Sequence, residues 1–358
     1  MIIIAGGGTG GHIYPGLAIG QALQKNDPLV QVHFVGTAQG LESKIVPKEG
    51  FPLHLIASGK LNYPGQVVKK IKTVFSVLWG FIQSFILLIR LRPQYVIGVG
   101  GYASAPFVLV ASLCGYSTSL WEPNAHPGLA NRWLSYFVKK CFVVFSEAQN
   151  FLKCKNIEQV GMPLRAEIEK FAERQDSIFK EKTESETFNI LVFGGSQGAQ
   201  KINDGVAQML MSEKNISDFS VVHQVGPLDF AKYKKIYQDF KNVECFEYIF
   251  DMPRYYQWAD LIICRGGASS LAEAAAYGKV PVIIPLPAAD DHQQKNAESL
   301  LSKNAALMIL QKNLSVDTLR EAIFKFKQNP ALRKQVSTNI KTFYTPWAAE
   351  KIAKAILS

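Results

Sequence analysis

Two runs of apolar residues in this chain each end in a cluster of glycines, and this repeated pattern constrains the fold more than any other feature. Ile2–Ala5 leads into Gly6, and the run from Asn189 to Phe193 leads into Gly194. A buried parallel strand that passes through a glycine-rich loop into a helix begins a βαβ unit. Because 358 residues exceed what one ordinary core holds, the sequence predicts two domains that each start with such a unit.

More strands are predicted after each start, with helical stretches between several of them. They are Val30–Val35, Tyr95–Val99, Ser119–Trp121 and Cys141–Phe145 in the first half, and Val221–Val225, Val243–Tyr248, Leu261–Cys264 and Val280–Pro285 in the second. This alternation predicts an α/β fold of two Rossmann-like domains facing a cleft, with ligands bound beyond the carboxyl ends of the strands. We expect a first domain over 1–163, a second over 164–342, and a C-terminal helix in 343–358 that can pack back on the first domain.

The net charge of +10, from 39 Lys and Arg against 29 Asp and Glu, predicts anionic partners. Charge alone does not rank nucleic acid, anionic lipid and phosphorylated substrates. The five cysteines show no paired spacing, which favours free thiols in a reducing compartment. The first residues contain no basic region followed by a long apolar stretch, so we expect no signal peptide and a protein that stays inside the cell.

Three glycine loops follow predicted strands: Gly6–His12, Gly98–Ser104 and Gly194–Gly198. Glycines at such positions let the backbone approach a ligand and turn its amides toward anionic oxygens. The first loop has the GxGxxG spacing of dinucleotide sites. An NAD site also needs a carboxylate at the end of the second strand, but the first acidic residue after that strand is Glu42. Phosphate-bearing ligands other than NAD are therefore favoured, and His12, at the mouth of the first loop, is a candidate general base.

Further candidate residues follow the strand Leu261–Cys264. Gly266 leaves room for a diphosphate, and Glu273, one turn into the next predicted helix, can accept hydrogen bonds from ribose hydroxyls. Gln293 and Gln294 can donate to and accept from the hydroxyls of a sugar. No group of His, Cys, Asp and Glu has metal-ligand spacing, so no metal is expected.

The stretch Thr73–Ile89 is apolar and is flanked by lysines and arginines. Its 17 residues, interrupted by serine, glycine and glutamine, fall short of the roughly 20 that a transmembrane helix needs. A membrane span, a buried helix and an interfacial docking helix remain open, and docking is favoured because Phe75, Trp79 and Phe85 beside lysines suit a headgroup boundary. The basic residues expected to accompany them are Lys69, Lys72 and Lys140.

Five motifs occur in this order along the chain: GGGTGGHIYP, GVGGYASAP, WEPNAHPGLANRWL, GGSQGAQKIN and CRGGASSLAEAAAYGKVPVIIPLP. Over nearly the whole length the chain resembles the MurG family of bacterial glycosyltransferases. The resemblance implies a GT-B fold and inverting transfer of N-acetylglucosamine from UDP-N-acetylglucosamine (UDP-GlcNAc) to undecaprenyl-diphospho-muramoylpentapeptide (lipid I), which gives lipid II for peptidoglycan synthesis. It also implies no cofactor, no nucleic acid, and peripheral binding to the anionic cytoplasmic face of the inner membrane. Proteins of cell-wall synthesis and cell division are further implied partners.

The resemblance also assigns residues at matching motif positions. Gly10, Gly11 and His12 would face the acceptor diphosphate, while Asn124 and Asn131 would line the donor and acceptor cleft. Glu273 would hold the ribose, and Gln293 and Gln294 the sugar hydroxyls. The residues assigned to UDP-GlcNAc are Thr9, Gly10, Gly11, Asn124, Arg165, Ser196, Ile249, Ala268, Glu273, Gln293 and Gln294. The sequence departs from the family pattern at Pro123, Met162 and Gly266.

The reaction class needs a base for the acceptor hydroxyl and stabilisation of charge on the leaving UDP. The base is His12 or Glu122, and the sequence does not decide between them. Amides of the third glycine loop and of the helix start near Ser269, with Arg165, would stabilise the diphosphate. The alternatives are a UDP-sugar epimerase on the same plan, a lipid glycosyltransferase with a diacylglycerol acceptor, and an inactive UDP-sugar-binding scaffold.

Overall fold

The computed structural model describes residues 1–59, 67–174, 187–212, 218–288 and 290–358, with backbone alone for 67–74 and 174. The described chain forms two compact units, unit 1 over 1–166 with 347–358, and unit 2 over 167–346. These limits fall a few residues after those expected from the sequence. Most of the charged stretch 172–188, interpreted as a linker or exposed excursion, lies outside the described residues. Among the described helices, none is both long and apolar enough to cross a membrane.

Unit 1 is built on parallel strands with helices between them. The strands are β1 (Ile2–Gly6), β2 (Val32–Gly36), β3 (Leu53–Leu55), β4 (Tyr95–Gly100), β5 (Ser117–Glu122), β6 (Lys140–Val143) and β7 (Ile157–Gln159). The helices are α1 (Gly10–Asn26), α2 (Glu42–Lys48), α3 (Val67–Leu91), α4 (Ser104–Leu113) and α5 (Leu129–Leu134), with a 3-10 helix at Ser146–Phe151.

Unit 2 repeats the plan. Its strands are β8 (Phe188–Phe193), β9 (Phe219–Gln224), β10 (Val243–Phe246), β11 (Leu261–Cys264), β12 (Val280–Ile283) and β13 (Leu307–Met308). The helices are α6 (Ala166–Arg174), which begins at the unit boundary, α7 (Gln200–Ser212), α8 (Phe230–Ile236), α9 (Met252–Trp258), α10 (Ala268–Ala276), α11 (His292–Leu301), α12 (Val316–Lys327) and α13 (Pro330–Lys341), with a 3-10 helix at Gln311–Asn313. The last helix, α14 (Ala348–Leu357), belongs to unit 1.

The strand order of each sheet reverses once. Unit 1 has the order β3-β2-β1-β4-β5-β6-β7 and unit 2 the order β10-β9-β8-β11-β12-β13. In a doubly wound sheet the loops that leave the two strands at the reversal diverge and open a crevice at the carboxyl edge. The reversal lies between β1 and β4 in unit 1 and between β8 and β11 in unit 2. The prediction of two Rossmann-like domains is confirmed.

The central strands are buried along their whole length and are mainly apolar, as expected of parallel strands covered on both faces. Every residue of β1 is buried, as is every residue of β8 and β11. On one face of the first sheet, α14 packs against α1 through its buried apolar side. Lys25 of α1 lies 3.6 Å from Glu350 of α14. The C-terminal helix is thus part of the core of unit 1.

Candidate active site

The first and second glycine loops of unit 1 are in contact at the strand reversal. The amide of Gly7 donates to the carbonyl of Gly100 at 3.1 Å. A side chain on Gly101 would overlap the backbone of Gly7, and Gly101 has a positive φ of 83°. Glycine is therefore required where the two loops cross, and the loops form one site.

Glu42, the first residue of α2, lies beneath the first glycine loop. Its carboxylate accepts hydrogen bonds from the amide of Gly8 at 2.6 Å and from the amide and hydroxyl of Thr37 at 2.8 and 2.9 Å. Side chains on Gly7 or Gly40 would overlap this carboxylate. Glu42 lies six residues after the end of β2, too far along the chain for the ribose position of an NAD site, and it holds the loop instead. The sequence did not predict this role. Its one indication is an acidic residue soon after β2.

His12 lies in the first turn of α1, directly after the loop. Its ring rests against the second glycine loop, because a Cβ built on Gly100 would be 2.6 Å from His12 Nδ1. The first amides of a helix have no partner within the helix, so those of Gly10 and Gly11 point toward the site. Thr9, the N-cap residue, is exposed and its side chain makes no capping hydrogen bond. The structure brings Thr9, Gly10, Gly11 and His12 together.

Glu122, the other candidate base, is buried at the end of β5 and organises the loop that follows. Its two oxygens accept from the amide and side-chain amide of Asn124 at 2.9 and 3.1 Å, from the side chain of Asn131 at 2.8 Å and from the amide of Gly128 at 3.3 Å. Burial raises the pKa of Glu122 to about 7, against the opposing effect of these donors. Both oxygens are engaged, so this geometry favours an anchoring role over that of base.

In unit 2, the third glycine loop follows β8 and is tied to the segment that carries Ile249. Gln224, buried at the end of β9, donates from its side chain to the carbonyl of Gly195 at 2.9 Å. The side-chain oxygen of Gln224 accepts from the amide of Ile249 at 2.8 Å. One unpredicted residue thus joins the loop of Ser196 to Ile249, two positions assigned to the donor. Its signal in the sequence is a polar residue at the last position of a strand that leads into a glycine.

The loop after β11 is held by α11. The side chain of Asn296, fully buried, donates to the carbonyl of Gly266 at 3.1 Å, and a Cβ on Gly266 would overlap the backbone carbonyl of Gln293. The space for a serine, which the family pattern has at this position, is therefore absent. The buried guanidinium of Arg265 donates to the carbonyls of Ile284 and Pro285 at 3.0 and 3.2 Å, and burial lowers its pKa.

The side chains assigned to ribose and sugar surround this loop. Glu273 is partly buried on α10, beside the fully buried Tyr256. The pKa of the Tyr256 phenol is raised mainly by burial and in addition by the nearby Glu273. Gln293 accepts from the amide of Leu286 at 3.0 Å, and Gln294 donates to Glu298 at 2.8 Å. The loops after β8 and β11 leave adjacent strands, so the site of unit 2 lies at its own strand reversal.

One assigned residue belongs to the other unit, and another is buried at a helix start. Arg165 was placed in the second domain, but it is an exposed residue at the end of unit 1, because the buried segment before it stays with the first sheet. Ala268 begins α10 and is buried. Among the described residues, no group of three or more His, Cys, Asp or Glu side chains is placed to hold a metal ion.

Helix α3 presents its apolar side to solvent and its small and polar residues to the protein. A Cβ on Gly80 would overlap the carbonyl of Ala57, Gln83 accepts from the amide of Ala57 at 2.6 Å, and the side chain of Ser84 is buried. The exposed residues share the opposite side and are Phe75, Leu78, Trp79, Ile82, Phe85, Ile86 and Ile89. Phe75 is 68% exposed and Trp79 54%. This arrangement excludes the alternative of a helix buried on all sides.

The basic residues expected beside this surface are only partly described. The side chains of Lys69 and Lys72 lie outside the described residues. Lys140 forms an ion pair with Glu158 at 2.7 Å and is only 19% exposed, which corrects its assignment to the headgroup-binding set. The neighbouring Lys139 is exposed. Strand alternation explains the difference, because adjacent residues at the start of β6 face opposite ways.

Comparison with known proteins gives the family. The glycosyltransferase family 28 N-terminal domain model matches residues 2–143, and the C-terminal domain model matches 189–352. The UDP-N-acetylglucosamine--N-acetylmuramyl-(pentapeptide) pyrophosphoryl-undecaprenol N-acetylglucosamine transferase of Bdellovibrio bacteriovorus is 56% identical, over 99% of this chain and 98% of that protein.

Two solved structures extend the comparison. The crystal structure of Acinetobacter baumannii MurG matches with a TM-score of 0.82 and 28% identity, covering 99% of both chains. UDP-GlcNAc 2-epimerase from Neisseria meningitidis matches with a TM-score of 0.67 and 12% identity over the whole of both chains, which shows the fold alone. The predicted GT-B fold class is confirmed. With both domain models matched and a close relative aligned along nearly its whole length, the chain belongs to glycosyltransferase family 28.

Proposed function

We propose that this chain transfers N-acetylglucosamine from UDP-GlcNAc to N-acetylmuramyl-(pentapeptide) pyrophosphoryl-undecaprenol, with inversion at the anomeric carbon. The observation that carries the proposal is 56% identity along nearly the whole chain to a transferase of that description. The two loop pairs, one at the strand reversal of each unit, supply the two phosphate-binding sites that a UDP donor and a diphosphate acceptor need. The product would be a precursor of peptidoglycan, and loss of the activity would affect cell shape and division.

The donor is assigned to unit 2. Amides of the third glycine loop and the N-terminus of α10 favour the negative charge that develops on the departing UDP. Glu273 accepts the ribose hydroxyls, Ile249 lies along the uracil, and Gln293 and Gln294 bind the sugar. Gln224 supports this assignment, because it connects two of the donor segments at hydrogen-bond distance.

The acceptor diphosphate is assigned to the paired glycine loops of unit 1, and His12 to the base. As the acceptor oxygen bonds to the anomeric carbon, its proton passes to the imidazole and the bond from that carbon to the UDP oxygen breaks. His12 is favoured over Glu122 because the oxygens of Glu122 already accept from four N–H groups of its own loop. Glu122 then acts by holding Asn124 and Asn131 in place.

The exposed side of α3 is assigned to the cytoplasmic face of the membrane. An acceptor with an undecaprenyl chain keeps its diphosphate at the bilayer surface, so an enzyme that uses it must reach that surface. The exposed aromatic and aliphatic residues of α3 suit shallow insertion between headgroups, and the net charge of +10 favours anionic lipid. Proteins of cell-wall synthesis and division would be partners at that surface.

Incubation with radiolabelled UDP-GlcNAc and an analogue of the lipid acceptor tests the proposal. We expect the label to appear in a lipid-extractable product, in equal amount to the UDP released. Free interconverted UDP-sugar would instead identify an epimerase, and binding of UDP-GlcNAc without turnover would identify a scaffold. Label transferred to diacylglycerol but not to the polyprenyl acceptor would also overturn the proposal.

A further inference from the structure

A second apolar surface of unit 1 is concave rather than protruding. It is a groove of about 620 Å³ between α5 and the end of the 3-10 helix Ser146–Phe151. Its apolar lining consists of Leu129, Trp133, Tyr136, Phe137 and Phe151. Trp133 and Tyr136 are 66% and 64% exposed, so the lining is open to solvent in the chain alone. A groove of this volume falls in the range of small-molecule sites.

The two walls of the groove are fixed to one another. The amide of Lys153, just after the 3-10 helix, donates to the hydroxyl of the buried Ser135, just after α5, at 2.9 Å. His126 packs edge-to-face against Phe151, with ring centroids 4.5 Å apart. Because both contacts are made by the protein itself, the groove exists before any ligand binds.

The groove also carries positive charge. Arg132 and Lys153 complete its lining, and the described lining includes no acidic side chain. The Nε atom of Arg132 is buried without a hydrogen-bond partner among the described residues. An apolar groove with two cations suits an amphiphile that has a long apolar chain and an anionic head.

The groove starts at the loop that follows β5, and β5 pairs with β4, the strand that leads into the second glycine loop of the acceptor site. Leu129 directly follows Gly128, whose amide is bound to Glu122, and Asn131 lies two residues further along the same turn of α5. His126, which belongs to the same loop, forms part of the contact with the opposite wall. A ligand whose head is bound by the glycine loop after β4 would therefore have the groove at the neighbouring loop.

We propose that this groove binds the isoprenoid chain of the acceptor close to its diphosphate. The inference rests on the proposed function in taking the acceptor to be a polyprenyl diphosphate. A planar bilayer does not enter a concave groove, whereas a single flexible chain does, so the groove and the exposed side of α3 have different occupants. The length of the isoprenoid chain then determines acceptor affinity, because the chain contacts residues of α5 in the groove.

Calorimetry with the full chain tests the inference without relying on turnover. Geranylgeranyl diphosphate is the probe that has both the head and an isoprenoid chain. Inorganic diphosphate is the probe of the head alone. Because burying two methylene groups corresponds to about tenfold in affinity, we expect the isoprenoid probe to bind at least about tenfold more tightly. The double substitution Trp133→Ser and Tyr136→Ser should abolish that difference, while the exposed control pair Leu29→Ser and Leu228→Ser should preserve it.

Kinetics and vesicle binding separate this inference from the proposed function. In detergent, the double variant should show a KM at least about tenfold higher for a long-chain acceptor and an unchanged KM for a short-chain one. If no acceptor is used at all, the proposed function fails while calorimetry still reports on the groove. Equal binding of the two probes by the wild-type chain overturns the inference. It is also overturned if the double variant loses vesicle binding but keeps its preference for the isoprenoid probe.

Discussion

Glu42 and Gly8 are joined by a hydrogen bond of 2.6 Å from the loop amide to the buried carboxylate. This amide is therefore directed into the protein and not toward a ligand, and the conformation of the first glycine loop depends on a residue 34 positions away. Gly8 has a positive φ of 90°, a conformation that glycine adopts readily and that directs its amide to Glu42. The site of unit 1 is thus built on a carboxylate rather than on glycines alone.

Replacement of Glu42 by Ala should destabilise the chain and the acceptor site together. Hydrogen bonds to a charged group contribute roughly 1.5–3 kcal/mol each, and Glu42 accepts three, so we expect the free energy of unfolding to fall by more than about 3 kcal/mol. Urea denaturation measures this fall. Glu49→Ala, on the exposed residue just after the same helix, is the control and should change it little. Wild-type stability in Glu42→Ala would contradict the anchoring role.

Replacement of His12 by Ala should lower turnover and leave donor binding intact. A general base typically contributes about 10²–10⁴-fold, so kcat should fall within that range while the KM for UDP-GlcNAc changes less than about twofold. Glu122→Gln is the comparison, because it places an N–H₂ group among N–H donors and should mainly lower stability. A loss of kcat at unchanged stability in Glu122→Gln, with an active His12→Ala, would reverse the assignment.

Replacement of Glu273 by Ala should weaken donor binding far more than acceptor binding. Loss of a charge-assisted hydrogen bond to a ribose hydroxyl costs about 1.5–3 kcal/mol, which is roughly a 10- to 150-fold rise in the KM for UDP-GlcNAc. Steady-state kinetics with each substrate varied in turn gives both values. Glu321→Ala, exposed on α12, serves as the control. An unchanged donor KM would remove Glu273 from the ribose site.

Replacement of Phe75, Trp79 and Phe85 together by Ser should abolish most vesicle binding. These side chains are exposed, so their removal should leave the fold and UDP-GlcNAc binding unchanged. Co-sedimentation with anionic vesicles should be strong for the wild type, weaker but present at high salt, and largely lost in the triple variant. Leu29→Ser with Leu228→Ser is the control, because it removes apolar residues that are even more exposed elsewhere. Failure of the wild type to co-sediment at low salt would refute docking through α3.

Stability should fall in acid partly through His223, a fully buried histidine in unit 2. Its Nδ1 lies 3.0 Å from the hydroxyl of Tyr237 and its Nε2 3.1 Å from Asn203 Oδ1, and burial lowers its pKa to about 3 from 6.5. Between those two values the unfolded chain binds more protons, so the stabilising contribution is complete above pH 6.5 and is lost as the pH falls toward 3. His223→Gln should therefore flatten the decline of the urea midpoint between about pH 7 and pH 4. His292→Gln is the control, and an unaltered decline in His223→Gln would rule the mechanism out.

The elements with strong local signals were predictable from sequence. The strand Leu261–Cys264 occurs with the predicted limits, and β1 and β8 differ from the predicted limits by one residue at an end. A short apolar run bounded by loop residues is typical of a strand that is buried on both faces. The short strands Leu53–Leu55 and Ile157–Gln159 were not predicted. They lie at the two edges of the first sheet, where three residues and partial burial leave no distinct pattern.

The sequence by itself determined the two βαβ starts, the glycine loops and the side of α3 on which apolar residues recur, since each depends on residues close together in the chain. Only the tertiary structure decided that Glu42 holds the first loop, that Gln224 joins Gly195 to Ile249, and that Lys140 is paired with Glu158. Each of these depends on a partner from a distant part of the chain. Hydrogen bonds of this kind form wherever the fold brings a buried donor and acceptor together, and a spacing along the chain does not encode them.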